Sequence, residues 1–377
     1  MKVSVLQENL SRGLGIVSRA VSPRSTLPVL ANVLVATDEG RLRLSATNLE
    51  LGITCWIGAK VEEEGETTVP ARTFNDLINT LSEEKVDMLL TVRTQTLNIR
   101  SGTSNTDIKC IDAQEFPQLP ATDMSEGVQI SASDLKELIR QVVFSASSDE
   151  ARPILTGVLV EVDGSEITLA AADGFRLSVR SAKLPSPDSQ PVSAVIPARA
   201  LNELARIIGD GDEVVGMVIP PGRGQVVFQT KDIELVSQLI EGVFPEYEQI
   251  IPKGYETRTV ITTSAFLKAC RQAEIFARDG SHIARLEVSP GDGSGPGKVE
   301  ISAQSEQSGS NETFVDATVE GDPILIAFNV RYLREVLDVI GSPDVALETS
   351  APASPGVIRP VGDDSFTHVI MPMHLGD

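Results

Sequence analysis

Cysteine is scarce. The chain has three in 377 residues, Cys55, Cys110 and Cys270, odd in number and far apart, so it carries neither a zinc-ligand pattern nor a disulfide framework. That usage fits a reducing, cytoplasmic setting. Aromatic residues make up only 4%, with a single tryptophan, while apolar residues reach 41%. The cores must therefore be packed with Val, Ile, Leu and Ala, and the composition is far from that of a disordered chain. Positive charge is also short. The 32 Lys plus Arg against 53 Asp plus Glu leave a net charge of −21, which excludes a general basic coat for nucleic acid or an anionic membrane, and any DNA contact must be local. No run of about 18 apolar residues occurs, and residues 1–10 alternate polar and apolar without a basic head and apolar run. Neither a membrane partner nor a secretory signal is expected.

Catalytic signatures are missing as well. His282, His368 and His374 lack metal-ligand spacing, and no Asp/Glu cluster supplies a metal pattern. The stretch Gly291-Asp292-Gly293-Ser294-Gly295 lacks the Lys-Ser/Thr ending of a phosphate-binding loop. The chain reads as a non-enzyme with no cofactor and no metal.

What the sequence does hold is a threefold repeat. A strand pattern running into a helix occurs at Val5-Leu6-Gln7-Glu8-Asn9-Leu10, Ile130-Ser131-Ala132-Ser133-Asp134-Leu135 and Ile261-Thr262-Thr263-Ser264-Ala265-Phe266. A second helix opens at Val69-Pro70-Ala71-Arg72, Ile196-Pro197-Ala198-Arg199 and Phe328-Asn329-Val330-Arg331. Proline beside the helix start costs nothing there, because its missing N–H is not needed. Between them lie the β-patterned segments Leu42–Thr47, Ile167–Ala172 and Val299–Gln304. The reading is an α+β chain of three repeated domains, 1–123, 124–252 and 253–377, each with two helices and two runs of strands. The segments Pro185–Pro191 and Pro290–Gly297, rich in Pro, Gly and Ser, interrupt repeats and read as surface loops.

The six expected helices, 8–20, 71–80, 133–146, 198–208, 264–278 and 329–340, hold 12 Lys plus Arg against 8 Asp plus Glu, so the rest of the chain carries −25. Helices less negative than their surroundings suit a shared surface facing a polyanion. Six helices at roughly 8–10 Å spacing close around a bore of only about 5–9 Å, whereas twelve, from two copies, leave about 21–28 Å. Two copies could encircle a duplex and one could not.

These features coincide with short motifs spread along the chain: Thr26-Leu27-Pro28-Val29-Leu30 with Asn32, Val69-Pro70-Ala71-Arg72, Arg100-Ser101-Gly102, Phe116-Pro117, Ala172-Asp173-Gly174-Phe175-Arg176-Leu177, Phe244-Pro245-Glu246-Tyr247, Phe328-Asn329-Val330, and Val369-Ile370-Met371-Pro372-Met373-His374-Leu375. In these, over essentially its whole length, the chain resembles the bacterial DNA polymerase III beta subunit, or sliding clamp, family. The resemblance implies a head-to-tail homodimeric ring with helices lining the hole and antiparallel sheets outside. Such a ring encircles double-stranded DNA without sequence specificity and gives the replicative polymerase its processivity. The positive side chains expected near such a bore, as DNA contacts, are Arg24, Arg72, Arg140, Arg199, Lys268, Arg271 and Arg331, and Arg24 also sits where the family has a DNA-contacting arginine. The resemblance implies a peptide-binding pocket of Arg152, Leu155, Gly174, Arg176, Leu177, Pro245, Ile250, Val369, Met371, Pro372 and Met373, which takes short motifs of polymerases, the clamp loader and other partners. Methionine walls suit several related peptides. It implies a dimer contact of Thr106 and Ile108 against Ile275 and Phe276. Pro153, Ile154, Asp149, Phe175 and Gln249 depart from the residues frequent in the family, and Gly376 and Asp377 extend past its usual terminal leucine. The competing reading is a repeat-built protein-interaction scaffold with no topological hold on DNA.

Overall fold

The computed structural model describes every residue except 83, 121–122, 125–126, 186–190, 212, 280, 294 and 375–377. Parts of both surface loops, and Gly376 and Asp377, thus lie outside the described residues. Among the described residues, each repeat has the same order of eight strands and two helices. The first comprises β1 (Lys2–Leu6), α1 (Gln7–Val17), β2 (Asn32–Asp38), β3 (Arg41–Thr47), β4 (Leu51–Glu63), β5 (Glu66–Pro70), α2 (Ala71–Thr80), β6 (Lys85–Thr91), β7 (Thr96–Ser101) and β8 (Ser104–Lys109). The second comprises β9 (Val128–Ser131), α3 (Ala132–Val142), β10 (Gly157–Asp163), β11 (Glu166–Ala172), β12 (Arg176–Lys183), β13 (Val192–Pro197), α4 (Ala198–Ile207), β14 (Val214–Val218), β15 (Gln225–Gln229) and β16 (Ile233–Gln238). The third comprises β17 (Thr257–Thr262), α5 (Thr263–Ala277), β18 (Ile283–Ser289), β19 (Gly297–Ser305), β20 (Gly309–Glu320), β21 (Ile324–Asn329), α6 (Val330–Val339), β22 (Asp344–Thr349), β23 (Gly356–Pro360) and β24 (Phe366–Ile370). The six helices fall where the apolar spacing puts them.

The repeat extends to individual hydrogen bonds. After the third strand of each copy, one side chain caps a turn by accepting from the backbone N–H groups two and three residues on. Asn48 Oδ1 accepts from Glu50 and Leu51 at 3.0 and 2.7 Å, Asp173 Oδ1 from Phe175 and Arg176 at 2.8 and 3.0 Å, and Ser305 Oγ from Gln307 and Ser308 at 3.2 and 3.1 Å. Short polar side chains serve here because they reach their own backbone.

Strand pairing redistributes the middle repeat. The chain forms two compact units, Met1–Ser133 with Arg199–Leu239 and Asp134–Ala198 with Ile240–Asp377. In the first, β16 pairs antiparallel with β4, Leu235 opposite Ile53, completing a twelve-stranded sheet that runs from β8 through β7, β6, β1, β4, β16, β15 and β14 to β9, with β3, β2 and β5 branching from β4. In the second, β12 pairs antiparallel with β24, Leu177 opposite Val369, within a twelve-stranded sheet from β13 to β21.

Each helix buries one stripe on its sheet. In the first unit these are Leu10, Leu14 and Val17 of α1 and Phe74 and Ile78 of α2. A Cβ on Gly13 would stand 2.8 Å from Leu44 Cδ1 and 3.1 Å from Ile57 Cγ2, so the absent side chain lets α1 settle onto β3 and β4. In the second unit Phe266, Ala269, Cys270 and Ala273 of α5 and Leu333, Val336 and Leu337 of α6 share a core with Leu286, Ile301, Phe328 and Phe366. Fully buried side chains of this size each contribute about 1.5–3 kcal/mol. Asn329 caps α6 by accepting from Arg331 N–H at 3.0 Å, whereas Pro70, at the same place before α2, makes no side-chain cap.

Candidate functional site

The residues expected to form a peptide pocket meet within the second unit. Past β24 the chain continues as a strap, with Met371 N–H donating to the Phe175 carbonyl and Met373 N–H to that of Ala327, both at 2.8 Å. Beneath lies a cluster in which Leu159, Ala172, Leu177, Phe244, Tyr247 and Val369 are buried and Leu155, Ile154 and Val179 are partly covered. Leu177 and Val369 are each 1% exposed, so they support the floor from below rather than offering surface. The accessible apolar groups are Phe175, Ile250 and Met371, at 56, 42 and 39% exposure. Phe175 departs from the family's frequent residue and is nevertheless one of the largest apolar surfaces here.

Gly174 turns the chain at φ +95°, and a Cβ there would also approach Arg152 Nη1 to 3.1 Å. Arg152 itself is held by Asp149 at 3.1 Å. Arg176 is different. Its side chain is only 8% exposed and pairs with Asp173 at 3.1 Å and with Glu335 of α6, while Nη2 donates to the Phe144 carbonyl at 2.7 Å. Its guanidinium also lies over the rings of Tyr332 and Phe144 at 4.2 and 5.3 Å. Burial opposes the charge on Glu335, yet hydrogen bonds and charge from Arg176 and Arg331 hold its carboxyl below the usual range. Glu335 thus serves a pocket arginine and, at 3.0 Å, the helix arginine Arg331.

Next to this floor His368 is wholly buried, stacked on Phe144 at 5.7 Å, with Nδ1 2.8 Å from Ser178 Oγ, which in turn lies 2.8 Å from Ser145 Oγ. Burial first, and the Arg176 charge second, lower its pKa to about 3. The folded state keeps this imidazole neutral while the unfolded chain protonates it near pH 6.5. Its contribution is therefore fully present above that pH and drains away as pH falls toward 3. Between pH 7 and 5 the wild type is expected to lose about 2 kcal/mol more stability than His368→Gln does. Urea unfolding at the two pH values measures the difference, and equal slopes for the two proteins would contradict it.

The basic candidates divide into two groups. Arg24, Arg199 and Lys268 are exposed and make no hydrogen bond or ion pair among the described residues, and Arg72 is 96% exposed with Asp76 only at 3.8 Å. Arg140, Arg271 and Arg331 are engaged, with Glu137 at 2.8 Å, Asp338 at 2.6 Å and Glu335 at 3.0 Å. Sequence patterning overlooked two further arginines. Arg19 and Arg206 share Glu203 of α4 at 2.9 and 3.0 Å, within the first unit. The signal available was their place at the ends of α1 and α4.

Among the described residues β5, β8, β9, β13 and β21 are strand-paired on one side only, and β20 is so over part of its length. Of these, β8 pairs with β7. β20 is paired with β19 over Gly309–Ala317 but reaches β17 only from Ala317 to Glu320, leaving Gly309–Asp316 open on the far side. Of the expected dimer residues, Thr106 and Ile108 lie on β8, Ile108 being 5% exposed, and Ile275 stands 50% exposed on α5. Phe276 packs against its own domain's core. The open part of β20 was not among the sequence candidates, although its exposed Phe314 marks it. The described residues include no cluster of three or more His, Cys, Asp or Glu placed to hold a metal ion. No helix is long and apolar enough to cross a membrane.

Known proteins share this arrangement. Models of the DNA polymerase III beta subunit match the N-terminal, central and C-terminal domains at residues 1–120, 129–246 and 248–374. The beta sliding clamp of Synechococcus elongatus is 34% identical over 378 residues, all of both chains, and that of Bacillus subtilis 32% over 385 residues, 99% of each. The crystal structure of the Bacillus subtilis sliding clamp superposes over the full length of both chains with a TM-score of 0.94 at 29% identity, and that from Pseudomonas aeruginosa with 0.90 at 29%. With three matching domains in order and relatives aligned from end to end, the chain belongs to the DNA polymerase III beta subunit family of sliding clamps.

Proposed function

We propose that two copies of this chain close head to tail into a ring that encircles duplex DNA, and that the ring is a non-catalytic processivity subunit. The observation that carries this is that β8 in the first repeat and Gly309–Asp316 in the third are two different open edges, unpaired with each other in the chain. If they join between copies, such a heterologous contact must close after a fixed number of subunits or grow into a fibre. The open part of β20 is acidic, with Glu312 and Asp316, whereas β8 balances Asp107 with Lys109 and has Arg100 beside it on β7. An unpaired edge is otherwise an aggregation hazard.

In this reading the domains run 1–123, 124–252 and 253–377, with helices toward the hole. Arg24, Arg199 and Lys268 meet phosphates first because breaking no ion pair is required of them, and Arg72 joins them because its pairing with Asp76, at 3.8 Å, is loose. Arg140, Arg271 and Arg331, held by carboxylates, exchange partners as the duplex slides. Loose, non-specific contact suits a ring, since tight phosphate pairing would arrest movement. The surface of Phe175, Ile250 and Met371 over the Leu177–Val369 floor takes apolar side chains of short motifs from the replicative polymerase and clamp loader. Arg152 and Gly174 shape its rim. The work is placed in the cytoplasm, where replication proteins meet DNA.

Light scattering tests closure directly. At micromolar concentration the expected mass is twice the chain's 40.3 kDa. A value of one chain's mass would contradict the ring, and a concentration-dependent series of larger species would show an interface that does not close.

A further inference from the structure

The repeat exposes a difference between two equivalent places. The strap Phe116-Pro117-Gln118-Leu119 follows the first repeat as Phe244-Pro245-Glu246-Tyr247 follows the second. Both phenylalanines are buried, against Leu34 and Leu159 respectively, which are themselves equivalent. In the second unit the space beside Leu159 is filled by Tyr247, 9% exposed, whose hydroxyl donates to the Glu161 carboxylate at 3.2 Å. In the first unit the equivalent strap residue is Leu119, which lines the same space but is smaller than a tyrosine and carries no polar end. Its Cδ2 lies 2.7 Å from where a Cβ on Gly52 would stand.

What remains over Leu34 is a cavity of about 570 Å³, walled by Phe116 and Trp56 and reached by Arg43 and Glu234. That volume lies in the range of ordinary ligand sites. Its polar end has moved one strand across. Glu161 faces Thr168 on β11, whereas the equivalent Ala36 faces Arg43 on β3, so the acceptor of the filled site is replaced by a cation. Arg43 Nε is buried with no hydrogen-bond partner, so the guanidinium is an incompletely compensated donor at the cavity. Trp56 is fixed by its indole N–H on Asp38 at 2.7 Å, and its ring edge is set before any ligand arrives.

We propose that this cavity binds a tyrosine side chain presented by a peptide, its ring between Leu34, Phe116 and Trp56 and its phenol oxygen accepting from the Arg43 guanidinium. The second unit supplies the precedent for the shape, since the same fold there holds a tyrosine of the chain itself. Glu234, whose carboxyl is pushed up by burial against the pull of Arg43, stands ready to take the phenolic or a peptide N–H proton in a hydrogen bond. The site is separate from the pocket proposed above, which lies in the other unit.

Trp56 is the chain's one tryptophan, so its emission reports the cavity alone when excited beyond tyrosine absorption. The full-length protein is titrated with the blocked tripeptide Ac-Ala-Tyr-Ala-amide and, in parallel, with Ac-Ala-Leu-Ala-amide. A saturable change with the first and none with the second is expected. Arg43→Met should weaken binding roughly 10- to 150-fold, the effect of one hydrogen bond to a charged donor. Leu119→Tyr, which offers the cavity a phenol from the chain itself, should abolish it. The absence of a saturable response to the tyrosyl peptide, an equal response to the leucyl one, or unchanged affinity in either variant overturns the proposal.

Discussion

Replacing Arg176 by Ala should destabilise the second unit by about 3–5 kcal/mol, the usual cost of removing one partner from a buried ion pair. The side chain is nearly enclosed, and its loss leaves the carboxylates of Asp173 and Glu335 and the Phe144 carbonyl without their shared donor. Two ring contacts go with it. Arg176→Lys should recover only part, because an ammonium cannot bridge two carboxylates and a carbonyl while stacking on Tyr332. Urea unfolding followed through the second unit measures both. The same variant should lose peptide capture, since Asp173 holds both Arg176 and the turn that presents Phe175. An Arg176→Ala protein of wild-type stability would refute this role.

Ile275→Asp should raise the dimer's dissociation constant roughly 30- to 100-fold or more, the scale of a buried hot spot losing about 2–3 kcal/mol. Ile275 is half exposed in the single chain, so the substitution should alter the fold's own stability by no more than about 0.5 kcal/mol. Phe276 is the poorer choice, because it packs into the third repeat's core and its loss would confuse folding with association. Sedimentation equilibrium of Ile275→Asp at concentrations where the wild type holds together separates the two effects. An undiminished dimer would remove α5 from the contact.

Much of this architecture was legible in the sequence because it is local. The apolar stripes of α1 to α6 lie within a few residues of one another, and Pro70, Pro197 and Asn329 mark helix starts by their own chemistry. The equivalence of the three capped turns at Asn48, Asp173 and Ser305, by contrast, emerges only from their hydrogen bonds, because three different side chains make the same cap. What else the sequence concealed is long-range. Arg176 meets Glu335 across 159 positions and Arg19 meets Glu203 across 184, and no periodicity encodes such a meeting. His368 gave no sign of its burial, which depends on Phe144 from another repeat. The open half of β20 is equally hidden, since an edge is defined by the strand that fails to pair with it. The division of the middle repeat between two sheets likewise depends on β16 choosing β4 and β12 choosing β24. Among the residues expected for the pocket, the resemblance could not separate Met371 and Ile250, which offer surface, from Leu177 and Val369, which lie beneath.

The central claim is topological, and DNA topology tests it. The chain, loaded onto a nicked circular plasmid by its clamp loader, is followed by gel filtration before and after a restriction enzyme linearises the DNA. A ring that traps rather than grips should co-elute with the circle through high salt and leave once an end is made. Release from the circle at the same rate as from the linear form would contradict encirclement and favour a scaffold with no topological hold.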